Sequence, residues 1–203
     1  MNDLGLNHVR YLTGHANVIV KARDLTESGK ALAEVAIETS GRCAMRENGY
    51  LDDGIYTAVK VIGLLARVAR ARGKNGEGNL SLLDLISELE EKEEVRELRM
   101  DVVDGSIDTT NIIFDKIVEL VEGACGEMGG WDLDVENLEG IRVRIGEGGF
   151  FMLRKSLHEP IISLQIEGTD AGGVREKVVS PILGLLNSNN ILPSINAQCL
   201  QKY

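Results

Sequence analysis

The sequence predicts an α/β remnant, a partial mixed or parallel sheet with helices, followed by an α+β domain whose small antiparallel sheet is covered by helices. Three observations carry this. Near the start, a helix-spaced segment lies between two strand-like runs, and a helical crossover between strands argues for parallel pairing. After Lys92, short runs alternate apolar and polar residues and are separated by tight-turn signals. Between these regions, Glu88 to Glu94 is almost entirely acidic and reads as a linker. The expected domains are residues 1-90 and 91-203.

Val9 to Leu12 reads as a short strand. Helical spacing of Val18, Ile19 and Ala22 predicts a helix from His15 to about Leu25, ended by Glu27-Ser28-Gly29. Ala33 to Ile37 reads as the second strand, and at its end stands Glu38-Thr39-Ser40-Gly41-Arg42. Open α/β sheets place ligands at strand ends of this kind. Asp52 or Asp53 caps a long helix to about Arg72, with Ile55, Val59, Ile62, Ala66 and Ala69 as its stripe. Gly73 to Asn79 breaks the chain, and Ser81 caps a short helix to about Leu89. Two strands and one good helix cannot cover both faces of a parallel sheet, so this part reads as the end of a larger α/β domain.

In the second region Leu98, Met100 and Val102 alternate with charged residues. Asp108 opens a helix carrying Ile112, Ile113, Ile117, Leu120, Val121 and Ala124. Three strands follow, Ile141 to Ile145, Phe150 to Leu153 and Ile161 to Glu167, the first two joined by Gly146-Glu147-Gly148-Gly149. Val174, Val178 and Val179 begin a last helical region with a kink or new start at Ser180-Pro181. The expected order is β-α-β-β-β-α. Trp131 is expected at a domain seam, and the Asn- and Ser-rich tail after Leu186 to be poorly ordered.

The net charge of -10 and the lack of a basic stripe argue against nucleic acid. No apolar run approaches membrane-spanning length and no presequence is visible, which predicts an intracellular soluble protein of undetermined compartment. The three cysteines have no metal-ligand spacing and fit simple thiols in a reducing compartment. Cys43 lies near the Glu38 loop with no activating histidine, so it reads as inert.

Between two predicted strands lies Arg154-Lys155-Ser156-Leu157-His158-Glu159-Pro160. Arg, Lys, Ser and His all donate hydrogen bonds, as a phosphate dianion requires, and Arg adds a planar fork. Pro160 stiffens the loop's exit. Residue types leave two readings open, a preorganised phosphate clamp or a polar loop of solvated charges.

Four segments in order resemble the α-D-phosphohexomutase family of phosphoglucomutases and phosphomannomutases. Thr13-Gly14-His15 is similar to its TGH segment, Glu38-Thr39-Ser40-Gly41 to its ExSG sugar-binding loop, Asp52-Asp53-Gly54 to its DDG segment, and Arg154-x-Ser156-x-x-Glu159-Pro160 to its RxSxTEP loop. The resemblance runs from about Val9 to Leu186 and corresponds to the end of the family's third domain plus its fourth. It implies interconversion of hexose 1-phosphate and hexose 6-phosphate. Glu38, Ser40 and Arg42 would bind the sugar, and Arg154, Ser156 and His158 the non-transferred phosphate.

Arg42 stands where the family usually has histidine, Leu12 where many bacterial members have lysine, and Leu157 and His158 replace Asn or Gly and Thr. Arg42 can neutralise phosphate but is a poor proton shuttle. The family's phosphoserine loop and magnesium-binding DGDxDR loop have no counterpart here, so no catalytic residue is expected in this chain and no turnover by it alone. Magnesium would belong to that other loop, and no metal is expected in this chain. The expected partners are a hexose phosphate and either the N-terminal domains or a full-length relative. A non-catalytic phosphosugar-binding or regulatory module is the alternative.

Overall fold

The computed structural model describes residues 5–72, 81–89, 92–146, 148–156, 158–168 and 173–202. The expected breaker at Gly73 to Asn79, the middle of the acidic run and Leu157 lie outside them. The chain divides into two compact units, Met1–Leu89 and Glu90–Tyr203.

The first unit holds helix α1 (His15–Glu27), strands β1 (Val35–Ile37) and β2 (Cys43–Met45), and helix α2 (Gly54–Arg72). Its small core gathers Ala22, Ala36, Ala44 and Tyr50, with Val18, Ile19 and Ala33 against it. Tyr50 ties this core by polar contacts as well. Its hydroxyl donates to the Ala33 carbonyl at 2.5 Å and lies 2.7 Å from Thr26 Oγ1, which accepts from the Ala33 amide. Since the tyrosine proton is already committed, Thr26 donates to Tyr50, and the three groups close a ring. Asp53 caps α2, accepting the Tyr56 amide at 2.9 Å.

Three expectations for this unit are corrected. Val9 to Leu12 forms no strand: no strand among the described residues pairs with it, and Val9 is exposed. The pairing is antiparallel, Val35 with Met45, Ala36 with Ala44 and Ile37 with Cys43. A turn brings the chain straight back, and a tight hairpin can pair only in that sense. The short helix after Ser81 is a single 3-10 turn, Leu83–Leu85. The stripe read on α2 is largely bare, with Ile55 at 81%, Val59 at 61% and Ile62 at 63% exposure. In β1 the small Ala36 faces in while Val35 and Ile37 face out.

The second unit is built on a six-stranded antiparallel sheet in the order β4-β5-β6-β7-β3-β8. The strands are β3 (Glu94–Val102), β4 (Trp131–Leu133), β5 (Ile141–Ile145), β6 (Gly149–Lys155), β7 (Ile161–Gly168) and β8 (Ile195–Asn196). Met100, Phe151, Leu153, Ile162, Leu164 and Ile166 point to one face and are fully buried. Helix α3 (Ile107–Ala124) packs against them with Ile113, Phe114, Ile117 and Val121. Each such side chain withdrawn from water contributes roughly 1.5–3 kcal/mol. Ser106, rather than Asp108, caps α3 through the Thr109 amide. Glu94, expected in the linker, already begins β3.

Two strands were not anticipated, and both correct earlier expectations. Trp131 begins β4 and lies in this unit's core, not at a seam, with its ring 4.6 Å from Phe151. Its indole donates to the Lys177 carbonyl at 2.8 Å. That carbonyl is four residues before Pro181, which has no N–H to offer it. The chain widens into a π-turn over Arg175–Val179 before helix α4 (Ser180–Ser188). The tail after Leu186 is ordered: β8 pairs with β3, and helix α5 (Gln198–Lys202) follows. Ile191, Ile195, Ala197 and Leu200 are buried, and these apolar anchors hold a segment whose composition looked polar.

Candidate anion-binding site

In the first unit, the expected sugar-binding residues sit on the hairpin between β1 and β2. The Glu38 amide donates to the Arg42 carbonyl at 3.0 Å and the Gly41 amide to the Glu38 carbonyl at 2.8 Å. Gly41 has φ of 86°, a conformation that favours glycine and lets the turn close. The Glu38 carboxylate accepts from the Ser40 amide at 2.9 Å, from the Ser40 hydroxyl, and from Thr39 Oγ1 at 2.9 Å. The Ser40 hydroxyl foremost, then the Ser40 amide and Thr39, hold Glu38 below the usual carboxylate range. With its proton committed to Glu38, Ser40 presents lone pairs outward and becomes an acceptor for a ligand hydroxyl.

Arg42 meets Glu38 through the backbone, and its side chain turns to helix α1. Its Nη1 lies 2.9 Å from His15 Nδ1. An arginine only donates, so the imidazole accepts at Nδ1 and carries its proton on Nε2. His15 opens α1, so the residues read from two separate motifs meet at one place. Cys43 is buried in β2 as a free thiol.

In the second unit, Arg154 and Lys155 end β6, and Ser156, His158 and Glu159 form the connection to β7. Alternation along β6 sends Phe151, Leu153 and Lys155 to the helix-covered face, where Lys155 Nζ lies 5.6 Å over the Phe114 ring. Arg154 therefore projects from the other face. Its Nε donates to Ser163 Oγ at 3.2 Å, and its terminal nitrogens lie 3.7 Å from Glu97 and 3.6 Å from Glu139. Ser156 Oγ accepts the amides of His158 at 3.3 Å and Glu159 at 3.2 Å. Those bonds use its lone pairs and leave its O–H to donate to an anion.

These groups line a cleft of about 250 Å³ that includes Arg154, Ser156 and His158 together with Glu97, Arg99, Glu139 and Ser163. Sequence reasoning missed the last four. Alternation along β3 and β7 puts Glu97, Arg99 and Ser163 opposite the core, but only register brings them to Arg154. Ser163 pairs with Arg99 on one side and Arg154 on the other. Arg142 pairs with Asp134 and covers the Phe150 ring, and Arg144 is exposed.

Among the described residues, no group of three or more His, Cys, Asp or Glu side chains could hold a metal ion. Nor is any described helix long and apolar enough to cross a membrane.

A small α/β unit with a charged hairpin, followed by an antiparallel α+β unit with a charged cleft at a strand end, is an architecture with known counterparts. Residues 1–92 match the family model described as phosphoglucomutase/phosphomannomutase, alpha/beta/alpha domain III. The chain also shares its fold with the crystal structure of a phosphoglucomutase/phosphomannomutase family protein from Burkholderia thailandensis. The TM-score is 0.62 at 24% identity, over 92% of this chain and 33% of that one. No curated protein matches. The family model covers the first unit, and the shared fold extends over nearly the whole chain. The chain spans about a third of the length of the structure it matches.

Proposed function

We propose that this chain supplies the sugar-binding loop and the phosphate clamp of a phosphohexomutase, an isomerase that interconverts hexose 1-phosphates and hexose 6-phosphates. The observation that carries the reading is the cleft beside Arg154, where a guanidinium, the Ser156 hydroxyl and His158 line one space. A phosphate dianion needs several donors held in place, and charge-assisted bonds of this kind are the strong ones. Arg154, Ser156 and His158 grip the phosphate that is not transferred. Glu38, Ser40 and Arg42 meet the sugar hydroxyls and the second phosphate end.

Phosphoryl transfer also requires an activated nucleophile at the transferred group, which none of these residues provides, so the chain binds without turning over. A second reading, a phosphosugar-binding module that associates with a full-length relative or with N-terminal domains, is favoured by the bare apolar residues Val35, Ile37, Ile55 and Val59.

Calorimetric titration of the full chain with glucose 1-phosphate and mannose 1-phosphate tests the proposal, with Arg154→Ala beside it. Both sugars are expected to bind weakly and the variant to lose binding. A folded wild-type chain that binds neither sugar, or a variant that binds as well as wild type, refutes the clamp.

A further inference from the structure

One carboxylate oxygen in the cleft touches two arginines. Glu97 Oε1 lies 3.3 Å from Arg99 Nε and 3.7 Å from Arg154 Nη2. Neither contact comes from loop geometry. Glu97 and Arg99 are on one face of β3, and Arg154 is reached across β7 through the row Arg99, Ser163, Arg154. Two guanidiniums from different strands thus converge on a single negatively charged oxygen, which is also how a pair of arginines holds a phosphate oxygen.

The charge balance points the same way. The cleft is lined by two guanidiniums, Arg99 and Arg154, and three carboxylates, Glu97, Glu139 and Glu159. With all five in place it offers an anion little net attraction. Turning Glu97 away frees both arginines for an incoming anion. Glu97 is free to turn, because its side chain is 41% exposed and its two arginine contacts are long, 3.3 and 3.7 Å. Exposed pairs of this kind are individually weak.

We propose that Glu97 is a resident anion in the seat of the phosphate, that an incoming phosphate monoester displaces it, and that Arg99 is a second phosphate-binding guanidinium beside Arg154. The inference rests on the phosphate-clamp reading and deepens it. Binding becomes an exchange of one anion for another. The cleft keeps its arginines oriented between visits, and it discriminates against anions too weakly charged to displace a carboxylate.

The test titrates the full chain with inorganic phosphate and glucose 1-phosphate in wild type, Glu97→Gln, Arg99→Ala and Arg154→Ala. Glu97→Gln, nearly isosteric, removes the competitor and is expected to tighten binding roughly two- to fivefold. Arg99→Ala is expected to weaken it about tenfold. Urea midpoints read at Trp131 confirm that each variant is folded, since Glu97 and Arg99 are exposed. A second measurement needs no variant: the Nε–H resonances of Arg99 and Arg154 must shift together as phosphate is added.

Unchanged or weaker binding by Glu97→Gln, wild-type affinity in Arg99→Ala, or a shift confined to Arg154 overturns the inference. If Arg154→Ala still loses binding, the clamp survives without it. If no protein among the four binds phosphate, or Arg154→Ala binds like wild type, the clamp itself falls and this inference with it.

Discussion

Gly140 controls how closely β5 approaches the strand that carries Arg154, and replacing it with alanine should be far more damaging than its place at a strand entry suggests. It adopts φ of +63°, and a Cβ there would lie 2.0 Å from the Leu153 carbonyl oxygen and 3.1 Å from Arg154 Cα. The left-handed backbone alone costs an alanine roughly 1–2 kcal/mol. The contact adds a second cost, because backbone rather than a flexible side chain must yield. The next pair along the strands, Ile141 with Leu153, is fully buried and cannot open cheaply. Forced overpacking of this kind costs about 1–3 kcal/mol more.

Gly105 gives the matched control: its φ is +66°, but nothing lies within 4 Å of the added atom. The expected losses are about 2–5 kcal/mol for Gly140→Ala and about 1–2 kcal/mol for Gly105→Ala. Urea unfolding followed by tryptophan fluorescence measures both, since Trp131 is the chain's single tryptophan and is buried in the second unit's core. Glu139, next to Gly140, lies 3.6 Å from Arg154, so phosphate affinity should fall in Gly140→Ala as well. Equal losses for the two substitutions would refute the close-approach argument and leave only the backbone cost.

Glu38 titrates below the usual carboxylate range, so its hydrogen bonds stabilise the hairpin above the ordinary glutamate range and are lost as pH falls through its lowered value. Carbon-detected NMR titration should show this midpoint rise towards normal in Ser40→Ala; an unmoved midpoint would mean the Ser40 hydroxyl is not the main cause. Tyr50→Phe should destabilise the first unit by roughly 1–2 kcal/mol, because it leaves the Ala33 carbonyl without the buried tyrosine donor. Far-ultraviolet circular dichroism, which sees α1 and α2, should register a lower melting point for this variant; an unchanged one argues that Ala33 and Thr26 are satisfied without Tyr50.

Local pattern made the second unit's central strands and α3 legible, because burial on one face imposes alternation of apolar and polar residues on β5 and most of β7, alternate core residues on β6, and helical spacing on Ile113, Ile117 and Val121. The short edge strands escaped notice because three residues at Trp131 and two at Ile195 carry no period. Parallel pairing was expected in the first unit from the order strand, helix, strand. The turn at Ser40-Gly41 instead closes a hairpin, and a turn's geometry outranks the order of elements. The Arg154 loop was legible from residue types alone. Glu97 and Arg99 were not, because only the register of β3 with β7, a long-range property, places them near it.

The two sheets also end differently. The wide sheet is bounded by a strand of three residues and one of two, and helix α5 lies along part of the β3 edge that β8 leaves open, its Cys199 thiol reaching the Arg99 carbonyl. The small sheet has no such protection: β1 pairs with β2 alone among the described residues, and its outward side chains are Val35 and Ile37. Crowding and heat should therefore act on this molecule unevenly. Clumping would nucleate at the Val35–Ile37 segment while the second unit is still intact, and a single lysine at position 35 or 37 would be the most economical way to keep concentrated samples clear.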